Sequence, residues 1–539
     1  MARRYRPVVR DQEFLLPPNM ADWLPEDHLV WFVIDVIDRI DTRAFHVRSK
    51  RGGVGRQGYD PDMLLALLVY AYAVGERSSR RIERLCFDHV AFRVVCGQDA
   101  PDHTTIARFR AIHESAFADL FARVLRLASE AGMARVGVVA IDGTKIAANA
   151  ARAANRSPEW IRKEAQRLAQ EMAQEMAQRI IAEAAEVDQA EDTAEAESGR
   201  DDDRLPPGLA DRRGRAVNID KALAELERQD TADRQADEAD QRKLVEYLAR
   251  IEAGEIPPGR PPAGLDLMAF HRARIRRFER ILAELNGVRG ADAAGRRAKA
   301  TQMMKQARAA LAKAEQAAAD GTADTRGPAA RQRDRRQARL RARGGAGRTV
   351  NITDPDSRLM TTANGGSIQG YNAQLGVSDD HLILGIHLSQ DANDTHCFAP
   401  TLAAIQATVR SLELSIGTVL ADSGYFTTDN LTLDGPARLI APGKHRDLRD
   451  EVREHPTSGP PPEAASPEDA MRHRLQTPEG AALYKRRSAT VEPVNAHLKE
   501  LIGLARFSRR GLPAATSELH LAAAVHNIRR MFTAAPQPR

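Results

Sequence analysis

The feature that most constrains the fold is a pair of short apolar runs, each ending on an aspartate with a glycine close behind. The first is VGVVAIDGTK at 136–145, where Asp142 ends the run, and the second is IGTVLADSGY at 416–425, where Asp422 ends it. Such runs of small and β-branched residues predict strands buried on both faces of a sheet. In isolation each aspartate could equally cap a turn, so its role depends on partners elsewhere in the chain.

The elements predicted around these two runs follow the order of a ribonuclease H-like α/β fold. After residue 349 we expect a β-hairpin with strands at 369–377 and 382–389, a helix, the run ending on Asp422, another strand in ARLIAPGK, and further helices. In that fold the first and fourth strands lie side by side, so Asp142 and Asp422 would meet. A third acid is then expected on a helix nearby. Glu492 is the candidate, with Lys499 two helical turns later on nearly the same face.

Three carboxylates without a histidine or cysteine cluster suit a hard divalent cation. Mg²⁺ takes oxygen ligands from carboxylates, waters and substrate phosphates. Two such ions about 3.5 to 4 Å apart can activate the attacking oxygen and stabilise the leaving one in phosphodiester displacement. We therefore expect Asp142, Asp422 and Glu492 to be ligands of two Mg²⁺ or Mn²⁺ ions. We expect no nucleotide cofactor, because the chain lacks a GxxxxGK[ST] phosphate loop.

Residues 1–133 predict an all-α N-terminal domain. Three helical patterns begin near Pro61, Ser78 and Asp102, and capping residues and glycines mark their ends. The opening turns of the third helix, where a recognition helix would contact DNA, carry Thr104, Thr105, Arg108 and Arg110. Packed helices without DNA are at least as common, so the residues alone leave both interpretations open.

Residues 153–348 predict a helical insertion with disordered joints. It interrupts the catalytic core between its first strand, at 134–152, and the remainder, at 349–534. Its segment LMAFHRARIRRFERILAEL predicts an amphipathic helix with a basic face opposite an apolar stripe, and internal packing is a commoner role for such a stripe than ligand binding.

Charge is distributed unevenly in this insertion, although the net charge of the whole chain is only +5. The stretch at 183–203 holds ten acids and one Arg, which is typical of a solvated face or a disordered segment. The stretch at 331–348 holds eight Arg and one Asp, and it could be a contact for a polyanion or a solvated linker.

Cysteine usage and hydropathy predict a soluble protein of a reducing cytoplasm. Cys86, Cys96 and Cys397 form no CxxC pair, which argues against a zinc knuckle or a disulfide framework. The N-terminus lacks an apolar core of signal-peptide length, and no run approaches about 18 apolar residues. We expect a cytoplasmic protein with no membrane partner.

The blocks AIDGTK, NITDPDSRLM with GYNAQ, LADSGY and YKRRSATVEPVNAHLK resemble the characteristic motifs of DDE transposases from bacterial insertion sequences. The likeness is closest to the group numbered eleven-eighty-two. The segment from YDPDMLLALLVYAYAVG to HTTIARFR resembles the helical domain that begins many of these enzymes. The resemblance implies an enzyme that binds the double-stranded ends of its insertion sequence, as a homodimer on DNA. It also implies metal-dependent cleavage and strand transfer into target DNA.

The resemblance also implies roles for single residues. Asp142, Asp422 and Glu492 would be the catalytic triad, and Tyr484, Lys499 and an arginine would form a Tyr-Arg-Glu-Lys signature that contacts transposon-end phosphates. Arg487 lies one position further from Glu492 than the signature has it, so Arg486 and Arg487 both stay candidates.

Pro493 leaves two interpretations of the helix that carries Glu492, because a proline inside a helix removes a backbone donor. The helix either begins near Thr490 or is continuous and kinked at Pro493.

Two other functions compete with this one. A DNA-binding regulator of the same ancestry that does not cut DNA is the runner-up. A haloacid-dehalogenase-like phosphatase would need a second aspartate two positions from Asp142, where Ala140 and Thr144 stand instead. In the hairpin turn we expect Asp379 and Asp380 to be turn residues that face water.

Overall fold

The structure, a computed structural model, describes residues 19–47, 58–189, 212–253, 266–287, 290–319, 349–362, 365–443, 452, 454 and 456–535. The chain divides into two compact units, residues 1–154 with 353–539 (the core unit) and residues 155–352 (the inserted unit). The Arg-rich stretch at 331–348, most of the acidic stretch at 183–203 and the predicted disordered joints lie outside the described residues.

The N-terminal part of the core unit is helical over the residues described. Its helices are α1 (Leu29–Arg39), α2 (Arg43–His46), α3 (Pro61–Ala73), α4 (Ser79–Asp88), α5 (Val90–Val95), α6 (His103–Ile112) and α7 (Ala116–Glu130). The first predicted helix is found as α3, with Pro61 in its first turn. The second and third predicted helices are each divided, at His89 and at 113–115, into α4 with α5 and α6 with α7.

The core unit contains a mixed sheet, and the inserted unit a two-stranded one. The strands are β1 (Val138–Ala147), β2 (Asn155–Arg156), β3 (Val350–Asn351), β4 (Arg358–Thr361), β5 (Ser367–Ser378), β6 (Ile383–Ser389), β7 (Thr418–Ala421) and β8 (Ala437–Ile440). β5 pairs with β1 along one edge and with β4 and β6 along the other, all antiparallel. β1, β7 and β8 are parallel neighbours. The predicted hairpin is confirmed as β5 and β6.

The predicted neighbourhood of the first and fourth strands is also confirmed. β1 pairs with β7 in a parallel register that sets Ile141 opposite Ala421. The run from Val138 to Ile141 is buried, as predicted for a strand covered on both faces. This mixed sheet with its flanking helices is compatible with the predicted ribonuclease H-like fold.

The inserted unit is built from long helices and from the short β2–β3 pair. Its helices are α8 (Pro158–Gln189), α9 (Arg212–Glu252), α10 (Leu267–Glu284) and α11 (Ala291–Ala319). α8 packs on α9, α9 on α10, and α10 on α11. A small apolar cluster that includes Ile161, Ile219 and Val350 joins α8, α9 and β3.

The helices after the hairpin complete the core unit. They are α12 (Phe398–Ser411), α13 (Thr428–Thr432), α14 (Pro467–Gln476), α15 (Pro478–Tyr484), α16 (Arg486–Ala496) and α17 (Leu512–Ala534), with a π-helical segment at His497–Leu501 between the last two. α12 packs on β5 and β6, and α16 packs on β1 and β5. α17 packs on β6, α3 and α7, so the N-terminal helices and the sheet share one apolar core.

A buried carboxylate strengthens this connection. Glu518 of α17 accepts hydrogen bonds from the Tyr72 hydroxyl at 3.2 Å and from Arg77 at 2.9 Å. Removal of one partner from such a buried polar network would leave the other unsatisfied, which is costly. The N-terminal helices are therefore bound to the last helix by polar contacts as well as apolar ones.

In the described parts of the chain no helix is both long enough and apolar enough to cross a membrane.

Candidate active site

Two aspartates meet where β1 and β7 run in parallel. Asp142 lies in β1, one residue beyond Ile141, and Asp422 follows directly after Ala421 of β7. Asp422 accepts a hydrogen bond from the backbone N–H of Gly424 at 2.8 Å, which caps a short 3₁₀ turn at Ser423–Tyr425. The strand register thus places both aspartates directly after the last β1–β7 pair. The prediction that the first strand ends at Asp142 is wrong, because β1 continues to Ala147 through its pairing with β5.

A third carboxylate, Asp394, lies against these two. A Cβ atom added to Gly424 would lie 3.0 Å from Oδ1 of Asp422 and 3.3 Å from Oδ2 of Asp394. A Cβ added to Gly143 would collide with Oδ1 of Asp394 and with Nε2 of Gln374. Glycine is therefore required after Asp142 because the strand passes so close to Asp394.

Strand β5 holds Asp394 in place. The side-chain amides of Asn372 and Gln374 each donate a hydrogen bond to its Oδ1 at 2.8 Å. Gln374 in turn accepts a hydrogen bond from the buried hydroxyl of Tyr425. The sequence analysis missed Asp394, since no strand ends there. The block GYNAQ was the available signal, because its Asn and Gln are polar residues in an otherwise buried strand.

Burial makes the ionisation of Asp142 and Asp422 costly. Burial raises the pKa of Asp142 to about 7; the Arg487 charge opposes this, and the charges of Asp422 and Asp394 add to it. Burial also raises the pKa of Asp422, against the hydrogen bond from Gly424 and the charge of Arg487. A nearby positive charge, such as that of Arg487, therefore favours the ionised form of both aspartates.

Helix α16 supplies the polar groups that face Asp142. Nη1 of Arg487 lies 3.5 Å from Oδ1 of Asp142, and Nδ2 of Asn495 donates to Oδ2 at 3.0 Å. The Asn495 amide oxygen is buried and has no hydrogen-bond partner within the described chain. The sequence analysis did not select Asn495, although it follows Glu492 by one helical turn.

Glu492 lies on the same helix but is exposed to solvent. A compact metal site needs at least three ligand atoms from His, Cys, Asp or Glu side chains close together. Among the described residues, the group with all such atoms within 4.8 Å of one another is His46, Asp60 and Asp62, at the N-terminal helices. The oxygens of Asp142, Asp422 and Glu492 therefore do not form so compact a group.

The helix that carries Glu492 is continuous through Pro493. It begins at Arg486, and not near Thr490, and passes directly into the π-helical segment. Lys499 lies in that segment; burial lowers its pKa, and the charge of Asp142 opposes the shift, which indicates that the two side chains interact.

The structure separates the two candidate arginines. Arg487 lies beside Asp142, whereas Arg486 forms an ion pair with Asp379 of the hairpin turn. The hydroxyl of Tyr484 donates to the Ala421 carbonyl at 3.3 Å, and burial raises its pKa to about 12. Tyr484 is thus buried beneath the site rather than presented on the surface.

The predicted DNA-contact residues of the N-terminal helices have different environments. Arg108 is exposed on α6. The hydroxyls of Thr104 and Thr105 donate to Asp102, which caps the helix.

Arg110 is buried, and its guanidinium donates to Tyr72, to the Arg77 carbonyl and to Ser79. These internal bonds leave the Arg110 side chain no surface on which to meet a phosphate. The prediction that Arg110 contacts DNA is therefore not kept.

The expectation that both hairpin-turn acids face water is wrong for Asp380. Its carboxylate is buried, forms an ion pair with Arg135 at 2.8 Å and accepts a hydrogen bond from the Arg135 backbone N–H at 2.6 Å. The turn is therefore fixed to the start of the segment that leads into β1.

The block NITDPD has a structural role. Asp354 accepts hydrogen bonds from the Tyr371 hydroxyl at 2.8 and 2.9 Å and from the Gly511 N–H at 3.1 Å. Asp356 accepts from the Leu512 N–H at 2.9 Å, at the beginning of α17. The two acids connect β5 to the last helix.

Two protein families match parts of the chain. The family described as "Transposase domain (DUF772)" matches residues 18–111, and the family described as "Transposase DDE domain" matches residues 347–528. No curated protein and no solved structure matches. The second range contains Asp394, Asp422 and Glu492, and Asp142 lies outside both. The two matches support a DDE transposase of the insertion-sequence type, while the likeness to the group numbered eleven-eighty-two stays a prediction.

Proposed function

We propose that this protein is a DNA transposase that binds the ends of its insertion sequence and catalyses metal-dependent DNA cleavage and strand transfer. The observation that carries the proposal is the position of Asp142 and Asp422 directly after the last β1–β7 pair, Ile141 with Ala421, with Arg487 and Asn495 of α16 directed at Asp142. Both family matches support the same class of enzyme.

The donor set suits a hard divalent cation. Asp142 and Asp422 offer carboxylate oxygens at a site where burial, and to a smaller extent the neighbouring negative charges, raises their pKa values, and the orphaned amide oxygen of Asn495 lies beside them. All-oxygen sites of this kind fit Mg²⁺ or Mn²⁺. We propose that Asp142, Asp422 and Glu492 hold two ions. When bound, they would supply activation of the attacking oxygen and stabilisation of the leaving one.

The chain's own residues position this chemistry. Asn372 and Gln374 fix Asp394 beside the Asp142 and Asp422 carboxylates, and Asn495 orients Asp142. Arg487 and Lys499 bring positive charge to the same site, where a DNA phosphate must approach. We propose that these two cations contact the phosphates of the transposon end, with Tyr484 as a positioning residue beneath them.

We assign the other DNA contacts to surfaces away from the carboxylates. Arg486 is half exposed beside Asp379, and Arg108, Thr104 and Thr105 stand at the start of α6. Phosphate contacts by such residues fix the register of a protein on a duplex. The protein would act on DNA as a homodimer, in the cytoplasm and associated with the nucleoid.

One observation favours the alternative of a DNA-binding regulator that does not cut. Glu492 is exposed, and its carboxylate does not form a compact group with Asp142 and Asp422. A cleaving enzyme requires Glu492 to join the other two when metal and DNA bind, whereas a regulator does not.

End cleavage by metal-stripped protein distinguishes the two functions. The substrate is a duplex carrying the inverted repeats that flank the gene, and Mg²⁺, Mn²⁺ or Ca²⁺ is restored singly. We expect strand cleavage with Mg²⁺ or Mn²⁺, and binding without cleavage in the chelator. Specific binding of the repeats with no cleavage under any metal would establish the regulator instead, and cleavage that survives strong chelation would remove the two-metal site.

A further inference from the structure

The inserted unit contains a cavity between α9, α10 and α11. Its volume is about 520 Å³, which lies in the range of small-molecule sites. Three aromatic rings line it, one from α9 and two from α10: Tyr247, Phe270 and Phe278. Sequence analysis assigned the apolar stripe of α10 to internal packing, yet part of that stripe faces open volume.

Four cations line the same cavity. α10 contributes Arg274 and Arg277, and α11 contributes Arg296 and Lys299. The helical pattern predicts that the basic residues of α10 lie on a face opposite the apolar stripe. In the structure they are not confined to that face. Two of them stand among the rings.

These four cations form no ion pair with a carboxylate among the described residues. Three other basic residues of α10 and α11 do form ion pairs with glutamates: Arg272 with Glu315 at 2.9 Å, Arg308 with Glu279 at 2.9 Å, and Arg276 with Glu252. These glutamates thus pair with cations outside the cavity and leave the cavity positive.

The arginines are held against the rings. The guanidinium carbon of Arg274 lies 5.6 Å from the ring centroid of Phe270 and 6.0 Å from that of Phe278, and Arg277 lies 5.7 Å from the Phe278 centroid. Cation–π contact of this kind orients a guanidinium. Nε of Arg277 is buried and donates no hydrogen bond within the described chain, a cost that an anionic ligand could relieve by drawing the side chain toward it.

Rings and oriented guanidinium groups in one cavity select a flat, anionic ligand. A nucleobase stacks on aromatic side chains for about 1 to 3 kcal/mol per base, and the guanidinium fork matches a phosphate. A bare phosphate would leave the rings unused, and a neutral apolar ligand would leave four cations unpaired. We propose that this cavity binds a nucleotide, with the base against the rings and the phosphate on the arginines.

The source of the nucleotide is an unpaired position in a DNA strand. This choice of source rests on the proposed function, since an enzyme that opens DNA ends generates unpaired nucleotides; the affinity for a nucleotide does not rest on it. On charge alone the acidic stretch at 183–203 of the same chain is a rival occupant, but it contains no aromatic residue to use the rings.

The test compares two double variants of the full-length protein in the absence of divalent cation. Arg274→Ala with Arg277→Ala removes two cavity cations, while Arg272→Ala with Arg308→Ala removes two cations that glutamates already neutralise. Binding is measured by fluorescence anisotropy on a duplex with a three-nucleotide unpaired gap and on the fully paired duplex. We expect the cavity variant to lose at least tenfold affinity for the gapped duplex and less than threefold for the paired one. The matched control should lose little and equally on both.

Two further measurements identify the ligand. 5-Iodouracil placed in the gap should crosslink wild-type protein at Phe270, Phe278 or Tyr247, a readout that does not depend on the folding of any variant. Deoxyadenosine monophosphate should displace the gapped duplex, and inorganic phosphate at the same concentration should not.

Several results would overturn the proposal. Equal losses in both double variants would mean general electrostatic attraction, and equal displacement by phosphate would mean a simple anion site. Displacement by a synthetic 183–203 peptide but not by the nucleotide would assign the cavity to the acidic stretch. Binding of the free nucleotide without preference for the gapped duplex would support the nucleotide site and overturn the DNA source. Because no divalent cation is present, a failure of end cleavage would leave all these readouts intact.

Discussion

The two sides of the candidate active site are built differently. On the sheet side, Asp142 and Asp422 are placed by hydrogen-bonded register between parallel strands. On the helix side, Glu492 and Lys499 depend on a helix that contains Pro493 and passes into a π-helical segment. Strand pairing fixes a residue by its neighbours across the sheet, whereas such a helix can change the direction of its side chains by a small change in winding. The sheet side is therefore preformed, and the helix side is the part that metal and DNA would complete.

The largest effect is expected from the sheet side. Asp142→Asn and Asp422→Asn keep the size of each side chain but remove the charge that would hold a metal ion. We expect each to reduce end cleavage on the order of 10³-fold or more, while binding to the ends persists. The double variant should cost little more than either single one, because residues that serve one site are not additive. Single-turnover cleavage of a labelled end duplex measures this.

The matched control for this pair is Asp379→Asn. Asp379 stands in the hairpin turn and pairs with Arg486, and its loss should leave cleavage within about twofold, as surface substitutions usually do. Asp380 is unsuitable as a control because it is buried against Arg135. Near wild-type cleavage by Asp142→Asn or by Asp422→Asn would remove that aspartate from the site.

Glu492→Gln examines the helix side, with an expected loss of cleavage of about 10²-fold or more. Because Glu492 is exposed, the free energy of unfolding should stay within about 0.5 kcal/mol of wild type. Cleavage assays and urea unfolding, both with and without Mn²⁺, measure the two effects. Full activity of this variant would show that Glu492 takes no part in catalysis and that metal and DNA do not complete the site from the helix side.

A smaller effect, about 10- to 10²-fold on cleavage, is expected for Asp394→Asn, by analogy with the loss of groups that support metal ligands. The side-chain amides that fix Asp394 would then meet an amide instead of a carboxylate, so the geometry around Gly143 should loosen. An activity curve against Mn²⁺ concentration should shift to higher concentration. Should the maximal rate fall as far as for Asp142→Asn with no such shift, Asp394 would itself belong to the catalytic set.

The smallest effect concerns stability and pH on the helix side. Nδ1 of His526 in α17 forms a hydrogen bond with Nδ1 of His497 in the π-helical segment at 2.9 Å. Nε2 of His526 forms a second one with the His381 carbonyl oxygen at 2.8 Å. Burial lowers the pKa of His526 to about 3, and the neighbouring charges of His497 and Arg530 act in the same direction.

The sign of the pH effect follows from this shift. The unfolded chain gains a proton on His526 below about pH 6.5 and the folded chain does not, so stability is present above pH 6.5 and lost as pH falls toward 3. At pH 5 the loss should be on the order of 2 kcal/mol. Urea unfolding of wild type and His526→Gln at pH 7.5 and 5 measures it, and the pH dependence should shrink in the variant. An unchanged pH dependence would mean that His526 is protonated in the folded protein.

Sequence reasoning reached the sheet side because an apolar run that ends on a carboxylate is visible in the chain itself. It placed Asp142 and Asp422 on neighbouring strands and found the hairpin of β5 and β6, but it ended the first strand at Asp142, whereas pairing with β5 extends β1 to Ala147. It missed Asp394 and Asn495, which belong to the site through contacts that no local pattern encodes.

The same limit explains the errors at Arg110 and Asp380. Arg110 stands in the last turn of α6 and Asp380 in the hairpin turn, where side chains usually meet water, but distant segments bury them, as Tyr72 and Ser79 do for Arg110. For the helix that carries Glu492, the sequence left two interpretations open, and the structure shows the continuous one, with Pro493 inside α16.

The short β2–β3 pair has a consequence for the order in which the chain folds. β1 is synthesised before the inserted unit, yet its partners β5 and β7 follow that unit, so the newly made strand must wait for them. β2 and β3 pair Asn155 with Asn351 and Arg156 with Val350, which joins the entry and the exit of the inserted unit. Closing a flexible loop of about 200 residues would cost on the order of 4 to 5 kcal/mol in chain entropy. An inserted unit that folds on its own bears that cost early, and β1 then reaches β5 by closing a much shorter loop, made of the segments between β1 and β2 and between β3 and β5.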